Sequence, residues 1–103
     1  MTDDLCPLCL RPIPPGARAS RHHLTPRLKG GARGPTVRLH QICHSAIHAR
    51  FIEAELARRL ADIRRLRTAP ELAGFLAWVS RRPPGFHAPT HHTGGGRRNR
   101  GVR

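Results

Sequence analysis

The chain is poor in what an ordinary hydrophobic core needs. Its 103 residues contain no Tyr, one Trp and three Phe, and hydrophobic residues make up 38%. A single thin domain of this kind is expected to need a staple, either disulfides or a structural metal. Cysteine is scarce too: three residues, an odd number that cannot all pair within one chain. Acidic residues number six against nineteen Lys+Arg. No run approaches the ~18 consecutive apolar residues of a membrane span. The start, Met1-Thr2-Asp3-Asp4-Leu5, lacks the basic and apolar segments of a secretory signal. These absences argue against a disulfide scaffold and a membrane-spanning segment, and they lead us to expect a cytoplasmic protein with reduced cysteines and no membrane partner.

What is present is charge and metal-type donors. The net charge is +13, and all but one of the nineteen cations are Arg. The planar guanidinium fork matches phosphate, so nucleic acid is the expected partner. Candidate phosphate contacts are Arg21, Arg27, Lys29 and Arg33 around a hairpin, with Arg97, Arg98 and Arg100 near the end of the chain. Cys6-Pro7-Leu8-Cys9 has the two-residue gap of a zinc knuckle, and His40-Gln41-Ile42-Cys43 repeats the gap. Together these four can close a structural zinc site, although His44 or His48 could take the fourth place.

Local patterns give an α+β reading. Residues 20–26 can run extended, and Thr36-Val37-Arg38-Leu39-His40 alternates as a strand, so the two suit a hairpin around a Gly-rich loop. A helical pattern begins near Ile42, and Ile52, Leu56, Leu60, Ile63 and Leu66 continue it as an apolar stripe. Thr68-Ala69-Pro70-Glu71 resembles a capping box. It opens a helix with Leu72, Phe75, Leu76 and Val79 on one face, ending near Ser80. Residues 83–103 carry three Pro, five Gly and no acid, which predicts a disordered basic tail. The expected organisation is a core over 1–50, a helical extension packed on it over 51–82, and the tail over 83–103.

Of the seven histidines besides His40, three (His87, His91 and His92) fall in the expected tail and four lie ahead of it. His44 and His48 lie at i and i+4, a spacing that lets one helical face hold one ion. His22 and His23 are neighbours on a strand and point to opposite faces, so one of them can complete a three-histidine site with open positions. The ordered set Cys6-x2-Cys9, His22-His23-x2-Pro26, Gly30-Gly31 and His40-x2-Cys43-His44-x3-His48 resembles the HNH endonuclease family over roughly residues 5–50. The resemblance implies a zinc-stapled ββα-metal core and metal-dependent hydrolysis of DNA phosphodiester bonds. It assigns His22, His44 and His48 to a catalytic divalent ion (Mg2+, Mn2+, Ni2+ or Zn2+) and His23 to the general base. The family's central Asn is absent between Gly30 and His40, and Thr36 stands nearest to its place. His40 stands where the family usually has Cys. A zinc-containing DNA-binding protein without cleavage is the alternative.

Overall fold

The computed structural model describes residues 4–24 and 34–89. Short strands β1 (Asp4–Leu5) and β2 (Pro12–Ile13) pair antiparallel, and the knuckle lies between them. Cys6 N–H donates to the Arg11 carbonyl at 2.9 Å, and Leu10 N–H to the Cys6 carbonyl at 2.8 Å. To close that turn Leu10 takes φ 67°, a left-handed conformation in which its side chain stays exposed.

Strands β3 (Ala19–His23) and β4 (Thr36–His40) form the hairpin that alternation predicts, in antiparallel register from Ala19↔His40 to His23↔Thr36. Period-two geometry divides it. Ser20 and His22 share one face with Val37 and Leu39, whereas Arg21 and His23 share the other with Arg38 and Thr36. Helix α1 (Gln41–Arg50) follows β4 without a loop, so His40 is both the strand end and the helix N-cap. Ile42, Cys43, Ala46 and Ile47 are buried on its inner side.

The apolar stripe after α1 is not one helix. The chain is extended at Phe51 and resumes as α2 (Glu53–Arg59), α3 (Ile63–Arg67) and α4 (Pro70–Val79). The break changes the phase of the pattern. Phe51 is buried at 2% exposure, and Ile52, expected in the stripe, is 51% exposed. Leu56, Leu60, Leu66, Leu72 and Val79 join the same core as Leu8, Ile42 and Cys43.

The capping box also fails to form. Ala69 is the N-cap of α4 and makes no side-chain cap, while Thr68 ends α3 and donates its hydroxyl to the Arg64 carbonyl. Asp62 provides a cap instead, accepting from Arg64 N–H at 2.7 Å at the start of α3. Pro70 in the first turn matches the reading.

The expected tail needs correction at its beginning. Residues 83–89 return across the knuckle: Phe86 N–H donates to the Pro83 carbonyl, and Phe86 and Ala88 pack against the core. Composition suggested disorder because Pro and Gly bring little to bury, yet two carbonyls and one aromatic ring suffice to anchor the segment. Arg27, Lys29, Arg33, Arg97, Arg98 and Arg100 lie outside the described residues, as does most of the Gly-rich loop. Among the described residues no helix is long and apolar enough to cross a membrane.

The left-handed Leu10 generates a stability prediction. A non-Gly residue in that region carries about 1–2 kcal/mol of strain, part of which glycine's extra unfolded-state freedom offsets. Leu10→Gly should therefore raise stability by about 0.5–1 kcal/mol in denaturant titrations, and a lowered midpoint would contradict the turn geometry.

Candidate metal centres

Two groups of metal-type donors assemble, one on each side of the β4–α1 junction. Cys6, Cys9, His40 and Cys43 form the first, all buried, with their ligand atoms within 4.8 Å of one another. All three cysteines are free thiols. The register that pairs His40 with Ala19, together with the Gln41 N–H bond to the Arg18 carbonyl, presents the first turn of α1 to the knuckle. His40 Nδ1 lies 3.4 Å from Cys9 Sγ. Zinc–sulfur and zinc–nitrogen bonds of about 2.3 and 2.0 Å in a tetrahedron would separate those two atoms by about 3.5 Å. The donor set and spacing thus fit one ion such as zinc.

Electrostatics agrees with a shared anionic cluster. The Cys9 thiol is held far below its ordinary range by hydrogen bonds with Cys43 and Cys6, aided by Arg11, whose Nε donates to its sulfur at 3.3 Å. The Cys43 thiol is pushed far up by its contacts with Cys6 and Cys9 and by burial. For Cys6 the Cys43 contact acts downward, but the Cys9 contact and burial outweigh it and the thiol is raised. Of the three, Cys9 alone is biased toward the thiolate, and ionising all three in so small a space would require a cation among them.

The second group is His22, His44 and His48, again with ligand atoms within 4.8 Å. β3 delivers His22 onto α1, where His44 and His48 stand one turn apart. Ring centroids are 5.1 Å apart for His22–His44, 5.6 Å for His22–His48 and 5.0 Å for His44–His48. Imidazoles bound tetrahedrally at about 2.0–2.1 Å place their ring centres about 5.2 Å apart. His22 is 1% exposed and, among the described residues, neither of its ring nitrogens has a hydrogen-bond partner. A buried polar group left in that state costs about 1–3 kcal/mol, which a bound ion would offset. Ser20, on the same face of β3, contacts His44 Nδ1 at 2.6 Å and so leaves Nε2 as the free donor atom.

All three imidazoles favour the neutral, electron-donating form. Burial first, and then the charges of His44, His48 and His23, push His22 down to about 4. Burial, His48 and His23 do the same for His44, also to about 4. His48 is lowered by burial against an opposing pull from Glu53.

His23 does not join this group. It lies on the opposite face of β3, half-buried, yet close enough for its charge to act on both His22 and His44. Thr36 is its cross-strand neighbour, and the Thr36 hydroxyl accepts a 3.5 Å bond from Arg21 Nη1. Arg21 is exposed beside them, opposite Arg38. The sequence reading missed Ser20 and Arg11. Strand alternation could have paired Ser20 with His22, whereas nothing local distinguishes a buried Arg11 among eighteen arginines.

Fold and site define a small α+β domain with two donor clusters, one of thiols closed within the core and one of imidazoles at the hairpin–helix junction. The "Uncharacterized protein YisB" of Bacillus subtilis (strain 168) is 42% identical over 80 residues, spanning 78% of this chain and 77% of that protein. The chain belongs to the same family as YisB. No family model matches it, and no solved structure does.

A pH dependence follows from the depressed imidazoles. The folded values of His22 and His44 lie below the ordinary 6.5. Between about pH 4 and 6.5 the unfolded chain therefore binds protons that the folded chain excludes. Their contribution is complete above pH 6.5 and is lost as pH falls toward 4. The urea midpoint of the protein should fall more steeply over this window than that of His22→Gln. Parallel curves would contradict the assignment.

Proposed function

We propose that the chain is a cytoplasmic, metal-dependent DNA endonuclease of the HNH type, with zinc at Cys6, Cys9, His40 and Cys43 as its structural staple. The observation that carries the reading is the three-imidazole cluster with both nitrogens of buried His22 unpartnered. Three protein donors with open positions are the catalytic form of a metal site, whereas four closed donors are the structural form. His22, His44 and His48 would hold the divalent ion, and the chemistry it would supply is positive charge at the scissile phosphate and the leaving oxygen.

The remaining work falls to the chain's own side chains. His23, beside the cluster but outside it, takes a proton from the attacking water, a task suited to an imidazole near neutral pH. Thr36, which pairs with His23 across the hairpin, is the residue assigned to position that ring. Arg21 offers its guanidinium to a neighbouring phosphate, and the basic residues Arg27, Lys29, Arg33, Arg97, Arg98 and Arg100 extend the attraction along the DNA. Hydrolysis in the HNH manner leaves a 5′-phosphate and a 3′-hydroxyl.

A second reading is a zinc-containing DNA-binding module without cleavage. What favours it is Thr36, whose hydroxyl bonds to Arg21 in place of His23.

Plasmid nicking across divalent metals separates the two. His23→Ala should preserve metal and DNA binding and slow cleavage by roughly two to four orders of magnitude. His22→Ala, His44→Ala and His48→Ala should weaken binding of the catalytic ion, measured by calorimetry, and recover some activity at higher metal concentration. Cleavage by His23→Ala at the native rate would remove His23 from the role of general base, and no cleavage with any divalent metal would leave the binding module as the account. Structural zinc contributes ~10 kcal/mol or more to small folds, so Cys6→Ser should abolish the folded circular-dichroism signal. A folded protein containing no zinc would end the staple reading.

A further inference from the structure

The guanidinium of Arg11 is buried, at 5% exposure, and among the described residues none of its hydrogen bonds goes to a carboxylate. Its Nε donates to Cys9 Sγ at 3.3 Å and its Nη1 to the Pro83 carbonyl at 2.5 Å, while Nη2 is buried without a partner. A guanidinium in that position needs a negative charge nearby. A divalent ion with three thiolates and one neutral imidazole carries one net negative charge, which a single guanidinium balances.

The next carbonyl along the chain reaches the same site. His40 Nε2 lies 2.6 Å from the Pro84 carbonyl oxygen. A carbonyl only accepts, so Nε2 carries the proton and donates it, leaving the Nδ1 lone pair to face the thiols. The 3.4 Å Nδ1–Cys9 contact is on that side. Pro83 and Pro84 are held in place in turn. Phe86 packs edge-on against Trp78 with ring centroids 5.6 Å apart, and the Arg82 guanidinium lies 5.7 Å from the Trp78 ring centre.

We propose that Arg11 and the carbonyls of Pro83 and Pro84 form the outer shell of the four-donor site, making residues 82–86 a latch that controls how firmly its metal is held. The latch fixes His40 in the tautomer that binds through Nδ1, and Arg11 neutralises the thiolate cluster while tying it to the returning chain. Arg11 and the latch are positioning groups; neither is a metal ligand. This inference rests on the four-donor site holding a metal and is independent of whether the protein cleaves DNA.

The test uses the full chain loaded with Co2+, because the thiolate-to-cobalt charge-transfer band reports this site and is blind to the three-histidine cluster. Excess chelator is added and decay of the band is followed. Loss of an outer-shell partner typically weakens metal binding roughly 10–100-fold. Phe86→Ala, which loosens the latch, and Arg11→Met, which removes the charge, should each release cobalt about tenfold faster or more. Arg11→Lys, which keeps the charge but cannot span both partners, should fall between Arg11→Met and the wild type. Fluorescence of Trp78, the single tryptophan, should change in Phe86→Ala. Release within twofold of wild type in both Phe86→Ala and Arg11→Met would overturn the latch.

A measurement on the unmodified sequence holds even where a variant fails to fold. Long-range nitrogen–proton NMR of the zinc-loaded protein should show His40 protonated at Nε2, and protonation at Nδ1 would overturn the proposal. Absence of the charge-transfer band in the wild type would overturn the metal reading itself, a result distinct from unchanged release.

Discussion

The convergence of Cys6 and Cys9 with His40 and Cys43 is the constraint on which the rest of the structure depends. These residues come from two segments separated by about thirty positions, and they meet where β4 becomes α1 without an intervening loop. Because His40 ends the strand and caps the helix, fixing it sets three things at once: the hairpin register, the entry angle of α1 and the face of α1 turned to the core. Little else anchors that corner. Helices α2, α3 and α4 each bury only one or two aliphatic side chains, and the three surface ion pairs among the described residues contribute little in water.

The three-histidine cluster is a consequence of that corner. With Ala19 opposite His40, His22 falls over α1 on the same side as His44 and His48. A shift of one residue in register would turn His22 outward and His23 inward, since side chains alternate across a strand. The adjacent histidines are therefore distinguished by pairing alone: one is enclosed, neutral and unpartnered, and the other stands at the margin next to Arg21 and Thr36. In a chain of net charge +13, burial also keeps the enclosed imidazoles from adding to the repulsion.

Much of this was legible in local spacing. The two-residue gaps at Cys6–Cys9 and His40–Cys43, the i, i+4 pair His44–His48 and the alternation over 36–40 each encode a geometry that needs no distant information. The parts that were not legible depend on contacts far along the chain. Phe51 interrupts the helix because its ring fits the core, a fact that periodicity cannot register when Ile52 continues the same pattern. Thr68 is an acceptable cap for α4, but its hydroxyl bonds back to the Arg64 carbonyl at the end of α3 and Ala69 takes the N-cap place. Residues 83–89 look like a solvated tail because their anchors are mostly main-chain carbonyls, which composition does not see. Arg11 was hidden by abundance, since a surface rich in arginine gives no reason to single out the one whose charge faces sulfur.

Whether one ion joins the knuckle to the β4–α1 junction can be read from cadmium-113 NMR of the cadmium-exchanged protein. An ion bound there should give one resonance shifted far downfield by three sulfurs. Scalar couplings from it should reach the β-protons of Cys6, Cys9 and Cys43 and the ring of His40. A resonance lacking cysteine couplings, or one coupled to His44 or His48 in place of His40, would contradict that placement.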